Sequence, residues 1–437
     1  MQNVTHLLRS RRFLPLFVTQ FCNAFNDNLF RTAMIMLVIY GVYKSETQEA
    51  TFSAVAGGLF ILPFFLLSAL SGQLADATDK SRIIRIVKTA EIGIMVVGAA
   101  GLVLHNVPLM LGALAAMGIH STFFGPIKYA ILPQHLEADE VLGGTGLVEA
   151  GTYIAILGGT ILGGILVVQR ADGSYHAELA AGAVLIVAVL GRIAGQFVPP
   201  APPVDEPEDE GFPARGLDWH ILRASVRLVR ATMHIPRLFL AIMAISFFWA
   251  MGAVLAAQFP PLVKNVFSGS QSVATLFLAI FSVGVAVGSV AINRLLGSKV
   301  SARYSPASAL VMGVFVFGLY LLARSWPIGT GALVDVNAFL ADRRAWLVVL
   351  TLFGVAVAGG MFVVPLYAFL TTTVPKSETA RTVAANNIVN AGAMVLGTLM
   401  FVALTAVGVS IAGTLLLVSA GTVVSALLAW KLHQACD

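Results

Sequence analysis

The chain has 437 residues, of which 58% are hydrophobic and only 11% charged, with a mean hydropathy of +0.87. An ordinary soluble domain carries about 25% charged residues, so this composition excludes a water-soluble globule and makes lipid the surrounding solvent. The net charge of +5 says little about nucleic acid, because most of it lies in short segments beside apolar runs, and with no basic stripe interleaved with aromatics no nucleic-acid partner is expected.

A bilayer-crossing helix needs about 20 apolar residues. Runs of that kind predict twelve spans, at 13–43, 50–74, 83–104, 107–132, 141–168, 178–198, 237–262, 272–295, 304–324, 344–372, 383–408 and 410–431. The first residues lack a signal peptide's cleavage region. Two cysteines, Cys22 and Cys436, are too few for a disulfide framework, so compartment follows from topology. Arg9, Arg11 and Arg12 precede span 1, and Lys80, Arg82, Arg85 and Lys88 follow span 2. The segment between spans 6 and 7 adds Arg215, Arg223, Arg227, Arg230 and Arg237; Arg294, Lys299, Arg303, Lys376 and Arg381 follow spans 8 and 10, and Lys431 lies at the end of span 12. The opposite loops hold only Lys44, Arg170, Lys264, Arg324, Arg343 and Arg344. This asymmetry predicts that both termini are cytoplasmic.

Span 1 carries "FCNAFNDNLFR" at 21–31, which places Asp27, Asn28 and Arg31 inside an otherwise apolar run. An ionisable group at the centre of a membrane helix costs about 2.5–3.5 kcal/mol on insertion scales, so such residues are functional candidates. Asp27 and Arg31 are four apart, and a local ion pair is the alternative explanation. Between spans 2 and 3, "GQLADATDKSR" resembles the loop signature of the major facilitator superfamily, with Gly72, Asp76, Lys80 and Arg82 at its positions. There the glycine permits close helix approach, and the acid and bases form an interhelical charge relay for a closed cytoplasmic side. The alternative is an ordinary charged turn. In span 3, Glu91 follows Lys88 by three residues and reads as structural.

Span 4 holds Lys128 in "FFGPIKYAILP", and span 5 holds Glu149 in "GLVEAG". Span 5 also carries Gly143, Gly144, Gly146, Gly151, Gly158, Gly159, Gly163 and Gly164, and span 8 carries Gly284 and Gly288. Small residues at these densities suit either a helix seam that parts or simple close packing. Arg192 lies near enough to the end of span 6 to snorkel. Residues 199–236 open with "PPAPPVDEPEDEGFPARG", proline-rich and acidic, as an extended linker does. The following "LDWHILRASVRLVRATMH" puts Leu222, Val226, Val229 and Met233 on one helical face and Arg223, Arg227 and Arg230 on another. That pattern fits a helix on the inner membrane surface or a solvated linker helix. Span 11 contributes Asn386, Asn387 and Asn390 in "NNIVN".

The linker at 199–236 divides the chain into a bundle at 1–198 and a second at 237–437, and the two echo each other. Pro126 in "GPIKYAILP" corresponds to Pro365 in "VPLYAFLTTTVP", and "LVEAG" at 147–151 corresponds to "IVNAG" at 388–392. The expected fold class is therefore an all-α membrane protein of twelve helices in two pseudo-symmetric six-helix bundles. Such repeats are a transporter architecture, with the substrate site near the midplane. One cation, two anions and several amides suit an amphipathic zwitterion: Lys128 would meet a phosphate, and Asp27 or Glu149 an ammonium. The alternative is that these charges only pair with one another to lock the bundle.

"QFCNAFNDNLFR", "FFGPIKYAILPQHL", "GLVEAGTYIAILGGTILGG" and "GGMFVVPLYAFL…NNIVNAGAM" together resemble the lysophospholipid transporter family within the major facilitator superfamily. The resemblance implies a bacterial inner-membrane flippase that carries lysophosphatidylethanolamine and lysophosphatidylglycerol from the outer to the inner leaflet without a sodium or proton gradient. It places the family's motif positions on Asp27, Asn28, Lys128 and Glu149, and implies a monomer that needs no cofactor. A separate cytoplasmic-side acyltransferase is the implied partner, because no histidine of this chain begins the His-x-x-x-x-Asp pattern of such enzymes. One departure is in span 7, where the family's best-known members carry an arginine and this chain has Ala256, with Gln258 as the nearest polar group.

The rival class is proton-coupled efflux of drugs or amphipathic metabolites, with Asp27 or Glu149 as proton carrier. The glycine-proline signature of drug–proton antiporters is missing from span 5, which lacks the proline. A lipid substrate also predicts lateral entry, because exposing a chain of sixteen carbons to water costs on the order of 10 kcal/mol.

Overall fold

The computed structural model describes residues 4–42, 46–171, 175–204, 217–327 and 333–436. It is helical almost throughout. In chain order come α1 (Leu14–Leu37), which continues through a π-helical turn at Val38–Val42, then α2 (Glu46–Ala77), α3 (Lys80–Val103) and α4 (Val107–Ala130). The short α5 (Leu132–His135) leads to α6 (Val141–Ile165) and α7 (Glu178–Gln196), joined by a hairpin pairing Val168–Gln169 with Tyr175–His176. The linker helix α8 (Ile221–His234) precedes α9 (Pro236–Asn265), α10 (Gln271–Leu295) and α11 (Ser305–Ser325). The short α12 (Val336–Ala341) precedes α13 (Arg343–Thr372), α14 (Thr379–Ala406) and α15 (Ile411–Cys436).

Among the described residues, twelve long helices thus fall on the twelve predicted spans. Eleven of them, among the described residues, are long and apolar enough to cross a membrane; α1, with its polar centre, is outside that number. Local chemistry sets several of the starts. Asp79 caps α3 by accepting from the Ser81 N–H at 2.8 Å, and Asn106 caps α4 by accepting from Leu109 N–H at 3.0 Å. Proline opens α9 and occupies the first turn of α11, where its missing N–H costs nothing. The outer faces are apolar, with Leu62, Val96, Ile186, Val314 and Leu396 exposed, as a chain solvated by acyl tails requires.

Packing divides the chain into two compact units. The first comprises Met1–Gly144, Gly151–Thr232 and Thr371–Ile388, and the second Thr145–Ala150, Met233–Leu370 and Val389–Asp437. In the first, α3 packs on α4 and α7, α1 on α7, and α2 on α4, around a core of Leu29, Phe30, Met34, Met95, Met110 and Met117. In the second, α15 packs on α9 and α11.

Four glycines of span 5, Gly151, Gly158, Gly159 and Gly163, lie against α1. A Cβ on Gly151 would lie 2.6 Å from the Phe17 ring, one on Gly163 2.6 Å from the Leu29 carbonyl oxygen, and one on Gly159 would overlap the Phe25 carbonyl. Gly284 and Gly288 of α10 make the same kind of approach to Phe353, Ala356 and Val357 of α13, whereas Gly146 faces α10 at the Ser289 carbonyl. Close packing accounts for most of these glycines, with Gly146 at the junction of spans 5 and 8.

Candidate functional site

The polar turn of α1 is held by α3 and α4. Asn23, Asn26 and Asp27 stand three and four residues apart, so they share one helical face. Ser121 of α4 donates its hydroxyl to Asp27 Oδ2 at 2.7 Å, and Asn23 Nδ2 donates to the same oxygen at 3.2 Å. Asp27 Oδ1 accepts no hydrogen bond among the described residues, although the side chain is buried. Behind this carboxylate lies an ion pair between Lys88 and Glu91 of α3, both 1% exposed or less. Asn26 Nδ2 donates to Glu91 Oε1 at 2.9 Å, Lys88 Nζ donates to Asn23 Oδ1 at 3.3 Å, and His120 Nε2 lies 3.4 Å from Glu91 Oε2. His120 Nδ1 is 3.5 Å from Ser121 Oγ, so the imidazole stands between the two acids.

Two sequence expectations change here. Arg31 does not pair with Asp27: its Nη2 donates to Asn28 Oδ1 at 3.4 Å and its guanidinium lies 5.9 Å from the Phe60 ring centroid. Asn28 turns back on its own helix, donating to the Ala24 carbonyl at 2.8 Å. Asp27 takes Ser121 instead, because the rotation of α1 points position 27 at α4. Glu91 is indeed paired with Lys88, but the pair is wholly enclosed and part of the Asp27 network. Sequence reasoning passed over His120 and Ser121. The signal was present, since they are adjacent polar residues inside the apolar run of span 4.

Lys128, half-buried in the last turn of α4, places its ammonium 4.8 Å from the Tyr129 ring centroid. One turn earlier on the same face, Gly125 leaves room for α14: a Cβ there would lie 3.5 Å from Asn387 Nδ2. Asn386 beside it is fully buried, and neither amide atom makes a hydrogen bond among the described residues. Asn390 falls in the second unit, where it accepts from Ser246 at 2.6 Å and donates to the Tyr367 hydroxyl at 3.4 Å. That hydroxyl also accepts from Trp249 Nε1 at 3.0 Å. Glu149 is buried in α6, within the stretch Thr145–Ala150 that belongs to the second unit. The three asparagines of "NNIVN" are therefore divided between two environments.

The last turns of α2 engage α14. Asp76 Oδ1 accepts from the Ala380 N–H at 3.1 Å, and Oδ2 accepts from the Arg381 N–H at 2.9 Å and from Arg381 Nε at 3.3 Å. Gly72 makes this possible, because a Cβ there would lie 2.7 Å from Ala384 Cβ and 2.9 Å from Arg381 Cα. Lys80 is buried, with its N–H donated to the Ala201 carbonyl at 3.0 Å. Arg82 is exposed, and among the described residues its side chain makes no ion pair; the base at Asp76 is Arg381. Burial pushes the Asp79 carboxyl up, but N–H donors from Ala201 and Ser81 outweigh it and leave it below the usual range. Lys44 and the acidic stretch 205–216 lie outside the described residues, as do the side chains of Ala256 and Gln258.

Residues 16–398 match the family model described as Major Facilitator Superfamily. The Lysophospholipid transporter LplT of Serratia proteamaculans (strain 568) is 27% identical over 366 residues, covering 83% of this chain and 80% of that protein. The LplT of Yersinia enterocolitica is 25% identical, covering 83% and 79%. Among solved structures, the human organic anion transporter MFSD10 (TETRAN) superposes with a TM-score of 0.75 at 13% identity, covering 96% of this chain and 99% of that one. The Major Facilitator Superfamily transporter FucP in the outward conformation gives a TM-score of 0.72 at 10% identity, covering 96% and 98%. At such identities these two structures speak to fold alone.

Proposed function

The chain belongs to the major facilitator superfamily, and on that premise we propose that it is a lysophospholipid flippase of a bacterial inner membrane. It is a multi-pass membrane transporter. Its cargo would be lysophosphatidylethanolamine and lysophosphatidylglycerol, moved from the outer to the inner leaflet by alternating access of two six-helix halves joined by the linker at 199–236. Both termini would be cytoplasmic, and a separate acyltransferase on that side would consume the product.

The observation that carries the reading is Asp27 in its setting. It is a buried carboxylate with one oxygen bound by Ser121 and Asn23 and the other accepting no hydrogen bond among the described residues, in a chain similar to transporters named for lysophospholipid. A carboxylate so placed suits the ammonium of an ethanolamine head group, and Glu149 is the second anion for that role. Lys128, with Asn386 and Asn387 as neutral donors, suits the phosphate, and Arg31 with Asn28 supplies a further donor pair. Lateral entry keeps the acyl chain in lipid, and Gly146 against α10 at Ser289 is where spans 5 and 8 come close enough to form such a seam.

Purified protein in proteoliposomes, given no ion gradient, should take up both lysophospholipids and reject a panel of cationic drugs. Drug transport with no lysolipid uptake would overturn the assignment. A second reading, proton-coupled efflux, draws on the line Asp27–Ser121–His120–Glu91, in which a titratable ring stands between two acids. A protonophore separates the two, since it would abolish such efflux and leave gradient-free flipping unchanged.

A further inference from the structure

The linker helix α8 presents three faces. Ala224, Ser225, Leu228 and Thr232 are buried. At about 3.6 residues per turn, Leu222, Val226, Val229 and Met233 form a second stripe, and Arg223, Arg227 and Arg230 a third beside it. Leu222 is 65% exposed, Val226 68%, and Trp219 just before the helix 71%. All three arginines are exposed.

The chain pins this helix at a bilayer surface. α8 ends at His234, and α9, a membrane span, begins at Pro236 after the single extended residue Ile235. One residue reaches about 3.5 Å, so the last turn of α8 stays where α9 enters the membrane. At the other end, the Asp218 N–H donates to Gln73 Oε1 of α2 at 2.9 Å. The Asp218 carboxylate accepts from Arg223 Nη2 at 2.9 Å and Nε at 3.2 Å, and lies 3.8 Å from Arg227 Nη1. Arg230 makes no ion pair among the described residues. A helix tied at both ends, with an apolar stripe and a basic stripe side by side, matches the interface, where acyl chains meet phosphates.

We propose that α8 and Trp219 form a docking surface for anionic phospholipid: the Trp219–Leu222–Val226 stripe enters the interfacial zone while Arg227 and Arg230 take lipid phosphates and Arg223 holds Asp218. This surface is separate from the substrate residues and holds whatever the cargo is. The anionic component is required by the arginines, which an anionic surface attracts. Neutral lipid would satisfy only the apolar stripe.

The test is Trp219 fluorescence in the full-length protein, taken as wild type minus Trp219→Phe. The protein is reconstituted in vesicles of phosphatidylcholine, alone or mixed with phosphatidylglycerol, containing lipids spin-labelled high on the acyl chain. Quenching should be at least about twofold stronger with phosphatidylglycerol present, and high salt should remove that gain in the unmodified protein. Arg227→Gln with Arg230→Gln should do the same at low salt. If these variants fail to fold, the salt arm on wild type decides alone. Equal lipid quenching in both vesicles would overturn the proposal, as would quenching by aqueous iodide but not by labelled lipid.

Discussion

Arg381 donates both its backbone N–H and its guanidinium Nε to one oxygen of Asp76, at 2.9 and 3.3 Å, across 305 positions of sequence. The other oxygen takes the Ala380 N–H, so Asp76 sits on the first turn of α14, where the helix dipole favours an anion. Both side chains are 3% exposed or less. Asp76→Asn should destabilise the protein by about 3–5 kcal/mol, because it removes the anion facing a buried guanidinium. Adding Arg381→Gln should cost less than the sum of the single changes. Additive losses in thermal melting of purified protein would show that the two do not act as a pair.

Lys88 and Glu91 make the second enclosed pair. Glu91→Gln leaves the ammonium buried beside Asn23 and should cost about 3–5 kcal/mol, whereas Lys88→Met with Glu91→Leu should restore most of that loss. The same melting experiment reads both. A double variant no more stable than Glu91→Gln would contradict this account.

Because Arg31 turns to Asn28 and Phe60, neutralising it cannot compensate for loss of Asp27. Asp27→Asn should slow uptake of the ethanolamine lipid more than that of the glycerol lipid, and adding Arg31→Gln should not rescue it. Ser121→Ala should weaken uptake by a smaller factor, about two- to thirteenfold, equal to the 0.5–1.5 kcal/mol of one hydrogen bond. Rescue by the double variant would restore the local ion pair as the explanation.

Lys128→Ala should abolish uptake of every phosphate-bearing substrate at unchanged expression, and Lys128→Arg should retain part of it. Full transport by the alanine variant would remove this residue from phosphate binding.

The Asp218 carboxyl is held down at about 2, chiefly by the Arg223 side chain and then by the His220 N–H. An unfolded aspartate titrates near 3.9. A depressed value means that its contacts contribute fully above about pH 4 and are lost as pH falls through about 2. Trp219 emission should therefore hold steady from about pH 7 to about 4 and change only below, in the window bounded by these values. A midpoint above 4 would mean that Arg223 does not grip this acid.

The twelve helices were legible because the membrane imposes a local rule. Every backbone group in lipid must be satisfied within its own helix, so hydropathy and length alone mark where helices run. Asp27, Lys128 and Glu149 stood out for the same reason, as polar atoms in a medium that penalises them. The repeat was legible too, in "LVEAG" and "IVNAG" at 147–151 and 388–392.

Which partner each polar group takes was not written locally. Asp27 meets Ser121 and not Arg31, Asp76 meets Arg381 and not Arg82, and Gly151, Gly159 and Gly163 of span 5 meet α1 while Gly146 meets α10. Asn387 and Asn390, three residues apart on one helix, fall in different packing units. Each outcome depends on how far a helix is rotated about its axis and which neighbour lies against that face. Rotation is decided by the fit of whole surfaces, glycine against ring and small residue against backbone, summed over the length of a helix pair. A single sequence determines where the helices are and which residues are costly in lipid. Only the packed structure decides what those residues touch.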